Sequence, residues 1–337
     1  MKKIAKADMG RFIARLLEQY MVYAPVQVDD AIQFQEITTP SEAYLDYQNS
    51  TKSPKGVFLP QSEVLFRYNK GPKQVTVTPP EEIKKERVLL GVRGCDVRAT
   101  LLLDAIFNTP VNPDVYYEEK RGKTIIIGLA CSEPPSLCFC TSVGGTPFDR
   151  KGSDLFLIDI SDAYLVDVLT DKGEKLLDDT LFRDATAADL ELARKREAEA
   201  LEQMPPPLEV KQLKDKLDGM VESPLWGTLA ERCLRCGICA YLCPSCYCFD
   251  IVDEDYGSSG ERVRNWDACM FSLYSLETSG HNPRPTGSER WRQRLMHKFN
   301  YAIGQCGDAL CVGCGRCVQG CPVNIDIRKI VTDVMAS

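Results

Sequence analysis

Eight cysteines in two short runs constrain this chain more than any other feature. Cys233, Cys236, Cys239 and Cys243 precede Pro244, and Cys311, Cys314, Cys317 and Cys321 precede Pro322. Both runs follow C-x2-C-x2-C-x3-C-P, the spacing that serves two neighbouring 4Fe-4S clusters. The x2 spacings wrap three thiolates round one face of a cubane, and the fourth cysteine starts a short helix aimed at the other cluster. The expected ligand sets are therefore crossed: Cys233, Cys236, Cys239 and Cys321 for one cluster, and Cys311, Cys314, Cys317 and Cys243 for the other. Gly237, Gly313 and Gly315 let the backbone pass close to cluster sulfides, where amide N-H groups tune the potential. The competing readings are zinc ribbons or a disulfide frame, but zinc sites favour two separated C-x2-C pairs.

Composition narrows the class. With 337 residues the chain has room for two domains, and 44% hydrophobic with 26% charged residues is ordinary for a soluble globular protein. A net charge of -7 argues against a nucleic-acid partner. No apolar run approaches the roughly 20 residues of a membrane helix, and the N-terminus carries no secretory pattern. Sixteen cysteines without export point to metal chemistry in a reducing cytoplasm. Only His281 and His297 are available for histidine chemistry.

Met9, Phe12, Ile13, Leu16, Leu17 and Tyr20 predict a helix over residues 5–20. Strand-like runs follow at 22–23, 32–34, 56–59, 64–67 and 75–78, separated by Pro40, Pro54 and Pro79. A buried-strand pattern at 87–92 leads through Gly94 and Cys95 into a helix from 97 to 107, placing Cys95 at a helix N-terminus whose dipole favours a thiolate. The next strand, 124–129, ends just before Cys131. If the two strands lie parallel and adjacent, both cysteines emerge at one sheet edge, where open sheets place ligands. Cys138 and Cys140 complete a set of four, enough for a third 4Fe-4S cluster. Small buried core cysteines and a structural zinc are the alternatives.

Residues 154–159 and 164–168 read as a strand pair. Thr186 with Asp189 fits a capping box that opens a helix lasting until Pro205. Residues 182–225 read as a helical connector with a second helical stretch through Leu213, Leu217 and Met220. The 67 residues between Cys243 and Cys311 begin with two further cysteines, Cys246 and Cys248, and contain a long insert, 249–305, that itself holds Cys269. These three either add ligands or another cofactor, or pack as small apolar residues. Trp291, Leu295 and Phe299 make one helical stripe and Arg290, Arg294 and Lys298 the next. Such cations suit an anionic cluster or an acidic partner better than nucleic acid.

Taken together these segments resemble the iron-sulfur beta subunit of cytoplasmic sulfhydrogenases, which are nickel-iron hydrogenases, and the related A subunit of anaerobic sulfite reductase. The residues that carry the resemblance are 53–55 (Ser-Pro-Lys) with 58–61 (Phe-Leu-Pro-Gln), 91–96 through Cys95, Cys131 with Cys138 and Cys140, 243–250, Trp266 with Cys269, and 290–298. The resemblance implies a non-catalytic subunit with several 4Fe-4S clusters. It would pass electrons between a flavoprotein subunit that handles a pyridine nucleotide and a catalytic redox subunit, in a hetero-oligomer without a membrane span. A self-contained reductase and a zinc-stabilised binding module are the alternative functions. The expected architecture is an α+β fold: a mixed α/β domain over 1–181 with the third cluster, a connector over 182–225, and a helical, ferredoxin-like two-cluster domain over 226–337.

Overall fold

A computed structural model describes residues 1–178 and 180–337. Strand β1 (Lys2–Ala5) leads into α1 (Met9–Gln19), where Met9, Phe12, Ile13 and Leu16 form the buried stripe that the sequence spacing predicts. Then come β2 (Met21–Val28), β3 (Ala31–Ile37), β4 (Ser62–Lys70), β5 (Val75–Thr78) and β6 (Arg87–Arg93). The strand expected at 56–59 is absent. A 3-10 turn over Pro54–Val57 takes its place, because Pro54 presets the first turn and the Ser53 hydroxyl caps it by accepting from the Lys55 N-H at 3.3 Å.

The remaining elements of the first half are α2 (Gly94–Phe107), α3 (Val115–Gly122), β7 (Thr124–Leu129), β8 (Leu155–Asp159), β9 (Ala163–Val168), α4 (Asp171–Glu174), β10 (Arg183–Asp184) and α5 (Ala187–Glu202). They build a sheet of order β10-β1-β9-β8-β7-β6-β2-β3, parallel across β2, β6, β7 and β8 and antiparallel at both margins. All six residues of β7 are buried, as a central strand covered on both faces requires. On β6, Val88 and Leu90 face the α1 side and Leu89 the α2 side; a bulge at Gly91, with φ of +75°, then keeps Val92 on the α2 side. Parallel β6 and β7 deliver Cys95 and Cys131 two residues beyond their C-terminal ends.

Thr186 and Asp189 form the expected capping box of α5. Helix α5 does more than connect, since Ala193 and Ala200 pack with Phe156, Ile158 and Leu165 of the first sheet. Beyond it lie α6 (Leu213–Asp218), α7 (Leu225–Arg232), α8 (Ile238–Tyr241), β11 (Phe249–Asp255), β12 (Ser259–Trp266) and α9 (Gly287–Met296). A π turn over His297–Tyr301, α10 (Ala302–Cys306), α11 (Arg316–Gln319) and α12 (Ile327–Ala336) finish the chain. Helices α6, α7, α9 and α12 share a core containing Leu217, Trp226, Trp291, Leu295, Phe299 and Val334. The insert hairpin joins a second, antiparallel sheet of order β11-β12-β4-β5, so strands from both halves of the chain pair directly. Among the described residues no helix is long and apolar enough to cross a membrane.

Candidate iron-sulfur centres

Three groups of cysteines meet at the junction of the two halves, and all sixteen cysteines are free thiols. Cys233, Cys236, Cys239 and Cys321 line one hollow with Trp291 and Arg294 at its wall; Cys317 also borders it. Two backbone amides already point at its sulfurs. Arg235 N-H donates to Cys233 Sγ at 3.3 Å, and Ile325 N-H donates to Cys321 Sγ at 3.2 Å. Gly237, with φ of +75°, could not carry a side chain, because a Cβ there would lie 2.6 Å from the Phe271 ring.

Cys243, Cys311, Cys314 and Cys317 form the second group. Cys243 lies close enough to raise the thiol pKa of each of the other three. Helix α11 turns Cys321 away toward the first hollow, just as α8 turns Cys243 toward the second group. The chain thus crosses over at both fourth cysteines.

Cys95, Cys131, Cys138 and Cys140 line a third hollow at the sheet edge. It abuts the second group directly. Phe139 N-H donates to Gly313 O at 2.8 Å, and Cys138 Sγ donates to Cys314 O at 3.6 Å. A Cβ on Gly313 would fall 2.5 Å from Cys140 N, so only glycine permits this approach. Between the two groups, Arg316 is fully buried. It bonds both Asp96 oxygens at 2.8 and 2.6 Å, Asn49 Oδ1 at 2.6 Å, and Ser50 O and Oγ at 2.8 Å. Burial, reinforced by Asp96, pushes the Cys95 thiol well up despite its place at the start of α2, so desolvation outweighs the helix dipole there.

The electrostatics of the second group are unusual for a protein interior. Lys55, Arg290, Arg294 and Lys298 are 5%, 1%, 3% and 4% exposed. Among the described residues, none of the four has a carboxylate partner. Lys298 Nζ donates to Cys243 Sγ at 3.2 Å and to Leu310 O at 2.9 Å. Arg294 reaches Cys246 Sγ at 4.0 Å and Cys239 O at 3.1 Å. Lys55 clamps the carbonyls of Cys243 and Cys246 at 2.9 and 2.8 Å and lies 4.2 Å from the Trp266 ring centroid. Arg290 donates to Arg284 O and Pro285 O, at 2.9 and 3.0 Å. Among the described residues, the Nε of Arg290 and the Nε1 of Trp291 are buried without a partner. Burying unpaired cations costs several kcal/mol each. Thiolates and a net-anionic cubane would provide the missing counter-charge, so the donor set and the surrounding charge both fit 4Fe-4S clusters.

Lys55, Asp96 and Arg316 carry no signal in the sequence that assigns them these roles; Lys55 stands 185 residues or more before the carbonyls it holds. The basic stripe of α9 was legible, and it points inward. Among the described residues no three His, Cys, Asp or Glu side chains are close enough to hold a single metal ion.

Cys246, Cys248 and Cys269 lie beside the second group and line neither the first nor the third hollow. Cys246 faces Arg294, and Cys248 packs against the core that contains Cys269. Cys306 stands apart, at the end of α10 near Asp308. His297 pairs with the Tyr247 hydroxyl at 3.0 Å, and His281 is exposed.

Comparison with known proteins settles the class. The family described as "4Fe-4S dicluster domain" matches residues 232–325, so the protein is an iron-sulfur electron carrier with two 4Fe-4S clusters in its C-terminal half. Along its whole length it is similar to "Sulfhydrogenase 2 subunit beta" of Pyrococcus furiosus, at 34% identity over 336 residues, covering 98% of this chain and 97% of the relative. The chain belongs to the sulfhydrogenase beta-subunit family. No solved structure matches it.

Proposed function

We propose that the chain is a three-centre electron relay within a multi-subunit oxidoreductase. The crossed ligand sets are Cys233, Cys236, Cys239 and Cys321 for the first centre and Cys311, Cys314, Cys317 and Cys243 for the second. Cys95, Cys131, Cys138 and Cys140 hold the third. When bound, each cluster takes up and releases one electron. The residues of the chain do the rest. Lys298 and Arg294 offset the charge at the second centre, Trp291 and Met270 wall the first, and the 138–140 loop seats the third against Gly313 and Cys314.

The observation that carries this reading is the ring of buried cations without carboxylates around the cysteine groups. The hydrogen-bonded seam between the second and third groups supports a continuous path. The Pyrococcus relative is by name a subunit of a sulfhydrogenase. On that basis the partners are a flavoprotein subunit on one side and a catalytic redox subunit on the other, in a reducing cytoplasm that suits sixteen free thiols.

Iron and acid-labile sulfide analysis of anaerobically purified protein tests the reading. About twelve irons per chain are expected, against about eight if the N-terminal set holds no cluster. Cys138→Ala should lose about four irons and keep the dicluster signal; an unchanged iron count would remove the third centre.

A further inference from the structure

A cleft of ≈ 300 Å³ opens where β2, β3 and β6 of the first sheet meet the turn over Pro54–Val57 and α3. Small-molecule sites begin at about that size. The cleft shares no lining residue with the first or third cysteine hollow. Lys52, Arg87 and Lys120 line it, and among the described residues no carboxylate does. Ser53, Tyr23 and Phe34 form the parts of the wall that bear on recognition.

The charges around the cleft do not balance. Lys120 pairs with Glu63, Glu63 also binds Arg264, and Arg264 binds Asp114, so these two cations face two carboxylates. Lys52 and Arg87 have no carboxylate partner among the described residues. Lys52 donates to the neutral Gln61 Oε1 at 2.9 Å and stands 5.1 Å from the Trp266 ring centroid. Arg87 donates to Val57 O at 3.0 Å, and its Nε is buried with no partner among the described residues. Glu36 sits opposite Tyr23 in the β2–β3 register, but it is exposed and does not line the cleft. The Ser53 hydroxyl accepts from the Lys55 N-H, and among the described residues nothing accepts its own O-H. Leaving a half-buried guanidinium with an unused N-H is unfavourable, and a bound anion offsets that cost.

We propose that this cleft binds a small phosphate dianion, either free or as a monoester. The two unmatched positive charges set the charge of the ligand. A planar guanidinium fits the paired oxygens of a phosphate, and an ammonium adds a second charge without a fixed direction. Tyr23 and Phe34 give an ester an apolar wall for its organic part. The site is separate from the cysteine groups and does not rest on the relay reading. Lys52 nevertheless shares the Trp266 ring with Lys55, whose ammonium lies 4.2 Å from the ring centroid and holds the carbonyls of Cys243 and Cys246.

The test is titration calorimetry on the anaerobically purified holoprotein, in a buffer free of phosphate and sulfate at about pH 8, above the second pKa of phosphate groups. The probes are inorganic phosphate, AMP and adenosine. Saturable binding of one phosphate group per chain is expected. Lys52→Gln and Arg87→Gln should each weaken it at least about tenfold, the loss of one charge-assisted hydrogen bond. Lys195→Gln, on an exposed face of α5, should leave it unchanged. AMP that competes with phosphate and binds more tightly makes a monoester the occupant, and phosphate binding without AMP binding makes it the free ion; either supports the proposal. Absence of saturable binding by both phosphates, adenosine binding as tight as that of AMP, or an equal loss in Lys195→Gln would overturn it. Arg87 also ties β6 to the turn at Val57, so if Arg87→Gln does not fold, Lys52→Gln decides, because Lys52 holds only the Gln61 side chain. Unchanged affinity in folded Lys52→Gln would overturn the proposal on its own.

Discussion

Cys243 is a buried sulfur with polar side chains beside it. Lys298 Nζ lies 3.2 Å from it and Ser245 Oγ lies 3.4 Å from it. Donors to a ligand sulfur stabilise the reduced, more negative cluster, so each raises the reduction potential. A charge-assisted bond contributes about 1.5–3 kcal/mol, and about 1.4 kcal/mol corresponds to about 59 mV for one electron. Lys298→Met keeps the volume and removes the charge. One cluster potential should fall by about 60–130 mV in an EPR-monitored redox titration. An unmoved potential would mean that Lys298 only braces the fold. The sequence shows the lysine on the right helical stripe, but helical spacing cannot say which sulfur it meets.

At the level of elements, the π turn that follows α9 brings His297 against Tyr247 while Lys298 faces the cysteines. Burial, with Lys298 and two arginines nearby, lowers the pKa of His297 from 6.5 to about 4. The folded state therefore binds this proton later than the unfolded chain does. The associated stability is complete above pH 6.5, declines as pH falls through that value, and is gone below about 4. The swing amounts to about 3 kcal/mol. His297→Gln should remove that share of the acid lability, visible as a shallower pH dependence of the rate of cluster bleaching between pH 6.5 and 4. A parallel slope in variant and wild type would assign the lability elsewhere. Elements with strong periodicity or chemistry were legible in the sequence: α1, β6 into α2, β7, the β8–β9 pair, the α5 cap and both cysteine runs. The 3-10 turn at Pro54 and the π turn were not, because both depend on capping or on packing from distant segments, which local patterns do not encode.

On the scale of the whole molecule, the two-cluster region is not a detachable module. Its hairpin completes a sheet begun by β4 and β5. Its Arg316 is neutralised by Asp96, and its central carbonyls are held by Lys55. Removing one partner of a buried pair costs about 3–5 kcal/mol, and a fragment of residues 226–337 loses Asp96, Lys55 and two strands together. Expressed alone it should be poorly soluble and deficient in iron, and co-expression with residues 1–225 should restore both solubility and iron. A soluble fragment with about eight irons would show the opposite. The crossed sheet also bears on how the protein is made. Arg67 on β4 bonds Glu261 on β12, 194 residues later. At about 5–20 residues per second of synthesis, β4 waits about 10–40 s on the ribosome with an open edge. During that interval β4 has β5 as its sheet partner and its other edge open, and with the proposed ligand set the second cluster could be delivered only after Cys317 has emerged.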